Sequence, residues 1–171
     1  MLIWFERKFD FSFPAELLPN LCARLRGTPA RLEELLRAQT PGTLVEKVDG
    51  KWSAQEHAGH LLDLEPLWLA RVADYAAASD NLTAADLTNR KTHDANHNAA
   101  ALAQILIGFR ASREVLLRRV EALDKSVAAR AIPHPRLKTP MRLVDNLYFV
   151  AEHDDHHLAK MWELVEASDK R

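Results

Sequence analysis

Cysteine occurs once in these 171 residues, at Cys22, and glycine only five times. A single thiol excludes an intramolecular disulfide and fits a reducing compartment. An excess of charge of one sign is also missing. Lys and Arg number 23 against 24 Asp and Glu, a formal net charge of −1, so no global electrostatic argument favours nucleic acid or an anionic membrane. Basic residues are interspersed with acidic ones, and no helix shows a one-sided basic face for reading bases. No apolar run approaches membrane-spanning length. The apolar start Met1-Leu2-Ile3-Trp4-Phe5 is followed at once by Glu6, Arg7 and Lys8, the wrong order for a signal peptide. The expectation is a soluble, cytoplasmic protein. Residues 1–171 suit one domain with a sizeable core, and no repeat, low-complexity tract or linker divides them.

What the chain does have is a 3.6-residue apolar period in strong helix formers, which with the scarce glycine argues for an all-α protein. The first helical region runs from Pro14 to about Arg37, with a break at Gly27-Thr28-Pro29, where Thr28 can cap a new segment and Pro29 can open it. The second starts at Ser53, whose run Ser53-Ala54-Gln55-Glu56 is a capping box, and ends near Ala77. The third begins near Asn98 and ends before Asp124. The fourth starts at Thr139-Pro140 and ends near Ala167. Turn formers separate them: Pro41-Gly42, Asp49-Gly50, Asp80-Asn81, Pro133 and Pro135. Long amphipathic helices joined in this way make an antiparallel four-helix bundle.

Five of the eight histidines fall in two of these helices: His57 and His60 in the second, and His153, His156 and His157 in the fourth. Residues four apart on a helix are about 40° apart around the axis and roughly 6 Å along it. His153 and His157 can therefore offer two imidazoles to one ion, as the histidines of an HExxH helix do. A third ligand has to come from another helix. His60 lies about 100° off its apolar stripe, and His153 and His157 lie roughly 80–120° off theirs, all at the border between core and solvent. Three neutral imidazoles leave positions open for water or substrate. The competing reading is that border histidines are ordinary surface residues. It applies to His93, His97, His134 and His156, and for the His153/His157 pair taken alone it is an even match.

Two runs go further. Trp52-Ser53-Ala54-Gln55-Glu56-His57-Ala58-Gly59-His60-Leu61, followed by Asp63-Leu64-Glu65, and Phe149-Val150-Ala151-Glu152-His153-Asp154-Asp155-His156-His157-Leu158-Ala159 resemble the helix-two and helix-four signatures of the DinB-like (damage-inducible) superfamily. The resemblance covers most of the chain, including the region of Arg113. It implies a four-helix bundle of DinB/YfiT type, often dimeric, with a three-histidine site for nickel, zinc, iron or manganese, and it places the ligands at His60, His153 and His157. The commoner helix-four form has a glutamine soon after the last histidine; Lys160 stands nearby here. Activities in that superfamily include transfers and isomerisations using a low-molecular-weight thiol. The resemblance thus implies a small-molecule substrate and an S-transferase or hydrolase working through a metal-activated thiol or water, without Cys22. No catalytic side chain or dedicated general base is identifiable. The alternatives are a metal-binding stress protein without turnover and a helical interaction module with incidental histidines.

Three charges interrupt the apolar stripes: Glu65 in the second helix, Arg113 in the third and Asp154 in the fourth. A buried charge needs a partner. Arg113 is expected to bridge Glu65, Asp154 or both. Asp154 follows His153 where an HExxH helix carries its base, but its short side chain and core-ward position argue against that role.

Overall fold

The computed structural model describes residues 3–169, so Met1 and Leu2 of the apolar start lie outside the described residues. The long helices are α1 (Leu18–Arg37), α3 (Ala54–Ala77), α5 (Leu102–Glu121) and α6 (Leu143–Asp169). Short helices α2 (Pro41–Val45) and α4 (Arg90–Asp94) lie in the connections, and β1 (Ala131–Pro133) pairs antiparallel with β2 (Pro140–Arg142) before α6.

The four long helices make a four-helix bundle in which each packs against two neighbours, in the ring order α1, α5, α3, α6. Side-chain pairs give the directions. Arg26 meets Glu121 and Glu33 meets Arg110, so α1 and α5 are antiparallel. Tyr75 donates to the Met141 carbonyl while His60 meets His157, so α3 and α6 are antiparallel as well. Glu65 meets Arg113 and Gly108 faces Leu62, which makes α3 and α5 parallel neighbours. Parallel neighbours require a long return connection, and residues 78–101 supply it. That crossover lies over the first turns of α3. Gln55 holds it there by donating to the carbonyls of His97 and Ala100, and Ser53 donates to Asn98.

The capping box forms as read: Ser53 Oγ accepts from the Glu56 amide, and Glu56 accepts from the Ser53 amide. Three expected boundaries are different. α5 begins at Leu102 and not near Asn98, because His97–Ala99 forms a separate short turn that is tied to α3 through Gln55. α1 continues through Pro29 instead of breaking at Gly27. Proline has no N–H for the carbonyl four residues back, and that carbonyl, Leu25, accepts from Arg113 Nη1 at 3.4 Å. A side chain from α5 thus satisfies the group that would otherwise favour a break. α6 begins at Leu143, because Pro140–Arg142 is drawn into the hairpin with β1.

Arg113 also donates to Glu65 (Nη2, 2.6 Å) and to Asp154 (Nη2, 3.2 Å, with a second bond from Nη1). All three side chains are buried. The layer divides the interior in two: Leu25, Trp68, Leu116 and Val150 pack on one side, and Leu32, Leu61, Phe109 and Met161 on the other. Two carboxyls share one guanidinium, and burial pushes Glu65 up to about 7.

Candidate metal centre

His60 projects from the second turn of α3, and His153 and His157 from one face of α6. Their ring centroids are 4.5–5.4 Å apart, and one ligand nitrogen from each lies within 4.8 Å of the others. The three rings are buried, not at the solvent border as the stripes imply. Long-range cover accounts for the difference. Trp52 packs on His60 and His157, Trp4 on His153, and the crossover closes over α3.

Hydrogen bonds orient the rings. Thr92, in α4 on the crossover, gives its one hydroxyl proton to Asp63 Oδ2, 3.0 Å away. Its oxygen is 3.0 Å from His60 Nδ1 and can only accept there. The proton of His60 therefore sits on Nδ1, leaving the Nε2 lone pair free. The same Asp63 oxygen is 2.8 Å from His97 Nε2. His157 Nδ1 is 2.8 Å from His57 Nδ1, so the second α3 histidine supports the cluster from behind. His153 Nδ1 is buried with no hydrogen-bond partner among the described residues.

The donor set fits a metal ion. Two nitrogens on one tetrahedral ion at about 2.0–2.1 Å lie about 3.3 Å apart, and His153 Nε2 and His157 Nε2 are 3.2 Å apart. Burial pushes His60 and His57 down to about 4 and holds His153 and His157 well below 6.5, so all four rings are neutral at physiological pH, the form that coordinates metal. Asp154 is paired with Arg113 on the other side of α6 and is unavailable as a base.

The rings open into a cavity of about 470 Å3 with walls from Trp4, Trp52, Leu64, Leu67, Trp68 and Phe149. His156 is half-buried on its wall. His93 is exposed, as expected of a surface histidine, but His97 and His134 are not. His97 is buried across Gly59 and bonded to Asp63. His134 is buried in the hairpin loop, where its Nδ1 accepts the amides of Arg136 and Leu137. Neither position carries a local periodic signal, because the crossover and the hairpin bury them. Thr92, on the crossover, was missed for the same reason, while Gln55 stood in the capping-box run and Trp4 in the apolar start without a role at the site. Asp63 stood within the motif but without a role. Lys160 bonds Glu163. Cys22 packs in the core near Leu21 and is not part of the cavity wall.

The sequence model of the DinB superfamily matches residues 24–161. Among solved structures, the chain is similar to YfiT from Bacillus subtilis, a probable metal-dependent hydrolase with an unusual four-helix bundle topology. The two are 20% identical with a TM-score of 0.81, over 96% of this chain and 94% of that one, a likeness of fold. No curated protein matches the chain.

Proposed function

The chain belongs to the DinB superfamily, and from that premise we propose that it is a metal-dependent enzyme with one divalent ion, nickel, zinc, iron or manganese, on His60, His153 and His157. The observation that carries this reading is the convergence of three buried, neutral imidazoles at the wall of a cavity large enough for a small molecule. An ion held there supplies Lewis acidity and lowers the pKa of a water or thiol that it binds. The residues of the chain do the rest. Asp63 and Thr92 fix the tautomer of His60, His57 supports His157, and the Trp4, Trp52 and Trp68 rings keep bulk water from the histidines.

The reaction is hydrolysis or transfer to a low-molecular-weight thiol. The description of the Bacillus subtilis relative supports the first, and the superfamily resemblance supports the second. A single domain over residues 1–171, a homodimer and a cytoplasmic location belong to the same reading. No helix among the described residues is long and apolar enough to cross a membrane. A metal-binding stress protein without turnover would have no use for an aromatic-walled cavity beside the site. An interaction module would gain nothing from burying three imidazoles. The test is a screen of metal-reconstituted protein against ester and amide substrates, and against electrophiles with a panel of thiols. Turnover that disappears in His153→Ala supports the proposal. Stoichiometric metal with no turnover in either arm favours the stress protein.

A further inference from the structure

Three nitrogen groups of the cavity wall, away from the His60, His153 and His157 cluster in sequence, have no hydrogen-bond partner among the described residues. Arg71 is 1% exposed; its Nε donates to the Thr83 carbonyl, but its Nη1 is buried with no hydrogen-bond partner among the described residues. His134 is 2% exposed. Its Nδ1 accepts two backbone amides, so its proton is on Nε2, and that nitrogen is a buried donor with no acceptor among the described residues. Arg136 Nη2 is in the same condition. All three residues line the cavity, with Lys138 beside them on the hairpin turn.

Nearby carboxylates are committed elsewhere. Asp86 also lines the cavity, but it accepts from the Thr88 amide and hydroxyl and from the Arg90 amide. Asp74 accepts from the Thr83 amide and hydroxyl. Two guanidiniums and a buried N–H donor, without a bonded carboxylate, are costly to keep in a partly dry pocket. The protein nonetheless builds them rigidly. The Arg71 guanidinium stacks 5.3 Å from Trp68, and that of Arg136 lies 5.3 Å from Phe5 and 5.7 Å from Phe149. Burial and the two arginines hold His134 at about 3, so it is a neutral donor.

We propose that Arg71, His134 and Arg136 form the binding site for a carboxylate or phosphate group of the substrate or cosubstrate. This rests on the metal-enzyme reading, since it gives that substrate its second anchor. Trp68 touches both groups, with its ring 5.8 Å from that of His153 and under the Arg71 guanidinium. The molecule therefore carries its acid group a few bonds from the reacting centre, with an apolar stretch between them against Trp68 and Phe149. Paired planar donors favour oxyanions through bidentate bonds, and the apolar wall disfavours small hydrated anions.

The probes are phenylacetate, phenyl phosphate and neutral phenylacetamide, titrated by calorimetry into wild type, Arg136→Met, Arg71→Lys and His153→Ala. Arg136→Met is the main variant, because Arg136 Nη2 has no partner among the described residues for the substitution to strip. At least one anion should bind tenfold or more tighter than phenylacetamide. That preference should fall about tenfold in Arg136→Met and in Arg71→Lys. The anion that binds better identifies the acid group. His153→Ala should keep the preference even where metal is lost, which separates this site from the histidine cluster. Equal binding of anions and amide by wild type, or a preference unchanged in Arg136→Met, would overturn the proposal. So would a preference that vanishes only in His153→Ala, which would place the anion on the metal.

Discussion

His153 and Asp154 are consecutive on α6 and face opposite partners: the imidazole of His153 closes the histidine cluster, while the carboxylate of Asp154 is bonded to Arg113. The charged layer and the candidate metal centre thus share one turn of helix. Fixing Asp154 fixes the rotation of α6 about its axis, and with it the direction of His153 and His157. Glu65 does the same for α3, one turn beyond His60.

Arg113→Ala should therefore be severe. It leaves Glu65 and Asp154 as buried carboxylates without a counter-charge and also releases the Leu25 carbonyl. Removing one partner of a buried pair costs about 3–5 kcal/mol, whereas a solvated arginine would change stability by less than about 1 kcal/mol. Urea denaturation of the variant checks this. A midpoint within error of wild type would show that the layer contributes nothing.

Gly59→Ala should disturb the site without touching a ligand. A Cβ at this position would be 2.2–2.5 Å from ring atoms of His97. That ring is buried and bonded to Asp63, so the crossover must shift. We expect a loss of about 1–3 kcal/mol, the range for overpacking, together with weaker metal binding as Thr92 moves from His60. Thermal melts and metal titrations of the variant give both readouts. Unchanged values in both would mean that the crossover is loosely held.

Acid should unfold the protein through its histidines. Burial holds His60 at about 4 and His134 at about 3, against an ordinary 6.5, with His153 and His157 also well below it. The unfolded chain takes up protons below about 6.5 that the folded chain refuses until about 4, so stability is lost as pH falls through that window. Glu65 acts with the opposite sign. Its carboxyl is raised from 4.5 to about 7, so its contribution is present at low pH and lost as pH rises through that range. The more numerous histidines should dominate. Urea midpoints of metal-free protein should be lower at about pH 5 than at about pH 7.5, and the reverse order would show that Glu65 prevails.

What could be read from the sequence was what local pattern encodes. Ser53 and Glu56 announce their own cap, and the spacing of His153 and His157 places two rings on one helix face. The apolar stripes also exposed Glu65, Arg113 and Asp154 as charges in need of partners. What could not be read depends on contacts between distant segments. Pro29 signals a break unless Arg113 is known to reach the Leu25 carbonyl. Pro140 signals a helix start unless its pairing with Pro133 is known. His97 and His134 look like surface histidines because only the crossover and the hairpin bury them. The border position assigned to the three ligand candidates failed in the same way, since periodicity does not register the cover from Trp4 and Trp52.

The metal content of untagged protein tests the central claim most directly, measured by elemental analysis alongside circular dichroism of wild type and single variants. We expect about one divalent ion per chain in wild type and in His156→Ala, and none in His60→Ala, His153→Ala or His157→Ala. Asp63→Asn and Thr92→Val should retain the ion with affinity weakened about 10–100-fold. Chelated protein should keep its helicity, because the apolar side chains packed on either side of Arg113 join the helices without the ion. Full metal content in His60→Ala with loss in His57→Ala would move the site to the other α3 histidine. Fully folded wild type that takes up no stoichiometric metal, even after reconstitution, would contradict the account.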